Sequence, residues 1–247
     1  MKDAHIHAWQ ARVKGHRGRL RERFLQHGIE SFTDSDVIEL LLTFGTPRQD
    51  CKERARALLM RFGSLHAVLE APIEELQKVR GIGPKNAIAL KFVHAVARRF
   101  LRDRILNRPL IQCAKDVVDY LFHHLSLKDR EFFLGVFLDT ANQVIDIKEL
   151  FSGTIDRAPI YPREVIKTAL DLGAKGVILV HNHPSGHTSP SKQDIRATKQ
   201  IMLGASALGL NVLDHIIIGS IGEYFSFDEG GLMLRLKQET NEVFNAL

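Results

Sequence analysis

Val177-Ile-Leu-Val180-His181-Asn182-His183-Pro184-Ser-Gly186-His187-Thr-Ser-Pro190-Ser191-Lys-Gln-Asp194 leads from an apolar block through two histidines into a Pro- and Gly-containing loop. The block Val177–Val180 predicts a buried strand. On an extended chain residues i and i+2 share a side, so His181 and His183 can reach one ion while Asn182 points away. Pro184-Ser-Gly186 turns the chain, and Pro190-Ser191 starts a helix whose first turn holds Asp194, able to point back at the histidine pair. Ser191 and Asp194 also form a capping-box pair, the purely structural reading of those two residues. Two His and one Asp are three protein ligands. A structural zinc site closes with four, commonly including Cys, whereas a catalytic one leaves a place for water. The expectation is a hydrolytic Zn2+ centre held by His181, His183 and Asp194. Zinc brings the pKa of a bound water to about 7, and a general base must stand near that water.

Outward from this stretch the C-terminal half reads as α/β. A helix through Val117, Val118, Leu121 and Phe122 leads into a strand at Phe132–Leu138. The turn Asp139-Thr-Ala-Asn142 permits a hairpin into a strand at Val144–Phe151. Helices are expected over Arg163–Leu172 and from Ser191 to about Leu208, with strands at Leu210–Ile218 and Tyr224–Phe227. Together these predict a mixed sheet covered by helices. His123 and His124 fall at a helix end, His187 in the loop between the ligands. His215, on an apolar strand, reads first as a core histidine and second as a support for the zinc site.

Residues 17–107 read as all helical, with segments over Arg17–Gln26, through Ile38–Leu42, over Lys52–Phe62 and Ser64–Leu69, from Ala71-Pro72, and from Lys85 to about Leu106. Between the last two stands Gly81-Ile82-Gly83-Pro84-Lys85. Two glycines around one aliphatic residue permit a tight turn and close approach of a ligand. The next helix then offers free backbone N–H groups to an anion, with Lys85 adding charge at its mouth. Gly81, Gly83 and Lys85 are the candidate contacts to a nucleic-acid backbone. A weaker copy, lacking the second glycine, spans Leu41 to Leu59. Residues 1–16 are polar and aperiodic, and His5-x-His7 within them has no supporting carboxylate or cysteine. The expected division is a tail at 1–16, a helical domain at 17–107 and a zinc domain at 110–247.

Charge divides the same way. Residues 1–110 carry 21 Lys and Arg against 12 Asp and Glu, a net +9; the remainder carries 13 against 17, a net −4. A basic half suits a polyanion such as nucleic acid. No apolar run reaches the roughly 20 residues of a membrane span. Nor does the N-terminus have the apolar stretch of a signal peptide. Cys51 and Cys113 make no disulfide framework. The expectation is a cytoplasmic protein with no membrane partner.

The set His181, His183, Pro184, Ser191 and Asp194, with 13 residues from first His to Asp, resembles the JAMM (MPN or JAB) metalloprotease motif. Glu149-Leu-Phe-Ser-Gly153-Thr154, Tyr161-Pro-Arg-Glu-Val165 and Val180-His-Asn-His-Pro-Ser-Gly186 extend the resemblance to the RadC (UPF0758) family, whose N-terminal region carries a helix-hairpin-helix like that around Gly81. The resemblance implies a JAB/MPN, cytidine-deaminase-like α/β domain that cleaves a peptide or isopeptide substrate. It also implies an upstream Glu that deprotonates the water and passes the proton to the leaving amine. Glu149, on the strand before Gly153, is preferred for that role over Glu164 in the following helix. Ser191 would steady the oxyanion. The His-x-Glu and Pro-Cys-x-x-Cys of nucleobase deaminases are absent, as is the zincin His-Glu-x-x-His. A competing reading makes the chain a DNA repair or recombination factor whose metal is structural or serves another reaction, a nuclease included.

Overall fold

The computed structural model describes residues 15–46, 49–126, 128–153, 161–220 and 222–245. His5 and His7 lie outside them. The chain forms two compact units that meet between Ala97 and Arg98, inside a long helix.

The first unit is helical: α1 (His16–His27), α2 (Asp34–Gly45), α3 (Lys52–Phe62), α4 (Leu65–Glu70), α5 (Ile73–Gln77) and the start of α6 (Pro84–Asp103). The starts of α2 and α4 are written in the sequence. Thr33 and Asp36 close a capping box, and Ser64 accepts from the Ala67 N–H. Ile38, Leu42, Ala55, Leu58, Val68, Leu76 and Leu90 meet in one apolar core. Ile82 joins it from the turn between α5 and α6. In that turn Gly81 has φ +86°, and a Cβ there would sit 2.8 Å from Arg54 Nε. Glycine is favoured there by the left-handed backbone conformation, and a side chain would in addition have to displace Arg54. Gly45 is constrained by space alone, since a Cβ would lie 2.9 Å from the Lys85 carbonyl oxygen. That close approach lets Asn86 Nδ2, at the start of α6, donate to the Leu42 carbonyl (3.2 Å) and to Thr46 Oγ1 (2.6 Å).

The second unit carries α7 (Leu110–Leu125), β1 (Glu131–Leu138), β2 (Val144–Gly153), α8 (Pro162–Asp171), β3 (Gly176–Asn182), α9 (Lys192–Ser206), β4 (Asn211–Ile218), β5 (Tyr224–Ser226) and α10 (Leu232–Asn245). Its sheet has the order β2-β1-β3-β4-β5; only the β3–β4 pair is parallel, and α9 is its crossover. The β1–β2 hairpin turns at Asp139, whose Oδ1 accepts from Ala141 N (2.8 Å) and Gln143 N (2.9 Å), with Asn142 at φ +55°. Side-chain alternation sorts the sheet into two cores. Phe133, Phe137, Val177, Leu179 and Ile217 pack under α8, α9 and α10. Leu134, Val136, Leu138, Ile147, Ile178 and Val180 pack under α7. This is the α/β domain with a mixed sheet that the sequence predicts. The C-terminal helix α10, which supplies Met233 and Leu236 to the first core, was not foreseen.

Candidate metal centre

His181 belongs to the face of β3 that carries Val177 and Leu179, under α9. His183 follows just past the strand end, its N–H bonded to the Ile218 carbonyl (3.0 Å). The loop then folds back through Gly186 at φ +80°, whose carbonyl accepts from Ser220 N (3.1 Å). A Cβ on Gly219 would collide with that carbonyl, so the loop can lie here only because residue 219 is glycine. The fold-back brings the His187 carbonyl to His183 Nδ1 (2.8 Å). In neutral His183, with its Nδ1–H donated there, the bare lone pair of Nε2 points inward, the form in which it could ligate a metal.

Asp194 enters from the first turn of α9. Ser191 Oγ accepts from Asp194 N (3.1 Å), and Asp194 Oδ2 accepts from Ser191 N (2.7 Å), a complete capping box that aims the carboxylate. Its oxygens lie 3.4 Å from His181 Nε2 and 3.4 Å from His183 Nε2, and the two Nε2 atoms are 2.9 Å apart. Three ligand atoms from a strand, a loop and a helix thus converge on one point. Ser191 is exposed and its own hydroxyl proton is not used by the cap. A second set, His16, Glu39 and Asp50, also brings ligand atoms within 4.8 Å of one another. There Asp50 is exposed and accepts from Lys52 N (2.9 Å), and Lys52 and Arg56 line the adjoining hollow, where their charge opposes a cation.

The acid–base state of the centre follows from burial and charge. Burial lowers the His181 pKa to about 4, with Asp194 opposing and His183 adding to the shift. The hydrogen bond with Asp194 raises His183 above its ordinary value against the cost of burial. Burial alone would raise Asp194, but the bond from His183, the charge of His181 and the bonds from Ser191 hold it well below the usual carboxylate range. The raised pKa favours a proton on His183 that a metal would have to displace. Zinc affinity is expected to fall about tenfold per pH unit once pH drops below the His183 pKa, with His181 adding a second proton only near pH 4. Zinc titrations against a competing chelator from about pH 8 to pH 5 read this directly; a flat profile contradicts His183 as a ligand.

Glu149 does not reach this cluster. In the β1–β2 register it pairs with Leu134, on the α7 face of the sheet, and its charge acts on the Tyr120 phenol of α7. The histidines lie on the opposite face. An irregularity in the pairing between Phe133 and Leu134 fixes which β2 residues take which side. Glu164 sits in the first turn of α8, half exposed and paired with Arg163 (3.1 Å). Among the described residues, a carboxylate beside the candidate ligands is Glu131, the first residue of β1. Phe133 is the register partner of His181, so two steps back along antiparallel β1 bring Glu131 level with His183 on the same face. Burial raises its pKa; the charge of His183 opposes and that of Asp194 adds. Asn182 points away from the histidines, as expected, but to a purpose: its Oδ1 accepts from Phe132 N (2.8 Å) and its Nδ2 donates to the Arg130 carbonyl (3.0 Å). The residue between the ligands thereby clamps the backbone on both sides of Glu131.

His215, fully buried, is the core histidine that its apolar strand suggests, and it also contacts a candidate ligand: its Nε2 lies 2.8 Å from His181 Nδ1. In the helical unit, Gly81 and Lys85 are exposed and Gly83 is half-buried, at the turn leading into α6.

Residues 111–232 match the family described as RadC-like JAB domain, and residues 14–88 match the family described as UPF0758 N-terminal. A UPF0758 protein of Rhodobacter capsulatus is 45% identical over 214 residues, covering 87% of this chain and all of the relative. The chain belongs to the RadC (UPF0758) family. A second UPF0758 protein, from Ruegeria pomeroyi, is 42% identical over 220 residues, 89% of this chain and 98% of the relative. The RadC-like JAB match contains His181, His183, Asp194, Glu131, Asn182 and His215, and the N-terminal match contains the Gly81–Lys85 turn. No helix among the described residues of this RadC-family chain is long and apolar enough to cross a membrane.

Proposed function

We propose that this chain is a zinc-dependent hydrolase of amide bonds, peptide or isopeptide, carried on the same polypeptide as a helical module that holds a nucleic-acid backbone. The supporting observation is the convergence of His181, His183 and Asp194 on one point, with Glu131 on the same sheet face beside His183. The donor set fits the ion: two borderline imidazole nitrogens and one hard carboxylate oxygen are a usual zinc ligand set, fewer than the four that would close a structural site. A zinc ion held there supplies Lewis acidity, polarising a carbonyl and making a coordinated water acidic near neutral pH. Glu131, its pKa raised by burial, takes the proton from the attacking water on a carboxylate oxygen and returns it to the leaving amine nitrogen. Ser191 Oγ–H, free of the cap, donates to the carbonyl oxygen as negative charge develops on it. His183 and Asp194 are held by the His187 carbonyl and by Ser191, so the ligands need little rearrangement.

The test is metal removal. A panel of fluorogenic peptide- and isopeptide-linked substrates is expected to be cleaved by zinc-loaded protein, left intact after chelation, and cleaved again when zinc is restored. Cleavage that survives chelation contradicts the proposal.

For the helical module, the net +9 of residues 1–110 and the exposed Gly81 and Lys85 support contact with phosphates and without base reading. Lys85→Ala is expected to weaken binding equally on unrelated DNA sequences and to reduce the slope of log affinity against log salt by about 0.9. A loss confined to one sequence, or an unchanged slope, contradicts this contact.

A further inference from the structure

We infer that Thr198, acting through His215, fixes the tautomer of His181 and thereby holds His181 as a metal ligand; this rests on the zinc-centre reading above. Thr198 and His215 are both 0% exposed, so each polar atom must find its partner within the protein. Thr198 Oγ1 lies 2.7 Å from the carbonyl oxygen of Asp194, one helical turn back, and donates its only proton there. Its oxygen then has only lone pairs to offer to His215 Nδ1 at 2.6 Å, so Nδ1 carries the proton. A neutral His215 with its proton on Nδ1 has a bare Nε2. That nitrogen accepts from His181 Nδ1 across 2.8 Å, which leaves His181 Nε2 bare and facing His183 and Asp194.

Each link forces the next. The reverse arrangement shows what the hydroxyl prevents. If Thr198 donated to His215 Nδ1, the His215 proton would move to Nε2 and the His181 proton to its own Nε2. That proton would occupy the place where an ion must bind, and the Asp194 carbonyl would lose its bond from Thr198. One hydroxyl therefore both grips the backbone of one ligand residue and sets the proton position of another. Packing alone does not account for the arrangement, because Phe133 and Phe227 flank His215 and would enclose an apolar side chain equally well.

The test uses the full chain and two variants, Thr198→Val and Thr198→Ser. Valine removes the hydroxyl at nearly constant volume; serine restores it. Zinc affinity, measured against a competing chelator, is expected to fall about 10- to 100-fold in Thr198→Val and to return to within about threefold of the parent in Thr198→Ser. Histidine 15N NMR of the metal-free parent protein is expected to show His181 and His215 protonated at Nδ1 and bare at Nε2. In Thr198→Val the same signals are expected to show a mixture of tautomers, a change that loss of packing would not produce. Valine protein that keeps both the parent tautomers and the parent affinity overturns the inference. So does a parent protein with His181 protonated at Nε2, a reading that remains informative if the valine variant fails to fold. If the parent holds no zinc, the zinc-centre reading fails, while the tautomers still decide whether the proton chain exists.

Discussion

Asp194→Ala protein is expected to bind no zinc at micromolar concentration, under conditions in which the parent protein is expected to hold one ion per chain. The carboxylate is the only anionic member of the three converging ligands, and its position is set by a two-way bond with Ser191. Removing it leaves two imidazoles 2.9 Å apart with no charge between them to favour a cation. The loss should exceed the roughly 10- to 100-fold that a missing hydrogen-bond partner of a ligand costs. Asp194 also accepts from Ser191 N as the third-position partner in the capping box of α9, so alanine carries a stability cost of about 1 kcal/mol from that lost bond. Asp194→Asn separates the two effects, since the amide oxygen can still accept from Ser191 N while the anionic ligand is gone. The asparagine variant is expected to melt close to the metal-free parent and still to bind no zinc. Zinc bound by either variant as tightly as by the parent would place the metal elsewhere.

Glu131→Gln is expected to keep its zinc and lose about 100- to 10,000-fold in kcat, the range that a positioned acid–base group contributes. Glutamine preserves the shape and the strand pairing of β1 but cannot accept the proton. Glu149→Gln, on the opposite face of the sheet, is expected to leave both zinc content and turnover unchanged. The reverse outcome, loss of turnover in Glu149→Gln and none in Glu131→Gln, would return the role of base to Glu149. Because the glutamine variant at 131 retains the binding surface, it also serves to hold substrates that the parent protein would release as products.

The converging cluster was legible in the sequence because it depends on local geometry. His181 ends a strand face that His183 continues just past the strand, and Asp194 lies in the first turn of the helix that follows, so a span of 14 residues contains the whole candidate ligand set. Glu131 was not legible, because its place depends on pairing between strands far apart in the chain. Only the Phe133–His181 partnership puts it level with His183, and sequence spacing carries no register. Glu149 was plausible for the same reason: nothing local reveals that an irregularity in the pairing with β1 turns its side chain towards α7. A weak signal did exist. Glu131 opens an otherwise apolar strand on the same alternation as Phe133 and Phe137, both of which enter the α9-side core. Asn182 and His215 show the same limit, since their bonds span 50 and 34 residues respectively. Capping residues, the hairpin turn at Asp139 and the glycine turn before α6 were all readable, being set by neighbours within a few positions.

Zinc K-edge X-ray absorption on protein loaded with one equivalent of zinc tests the central claim most directly. Two imidazole nitrogens and at least one carboxylate oxygen at about 2.0–2.2 Å are expected, with light oxygen scatterers completing the shell and no sulfur. Sulfur at about 2.3 Å, or a shell without histidine scattering, would contradict a centre built from His181, His183 and Asp194.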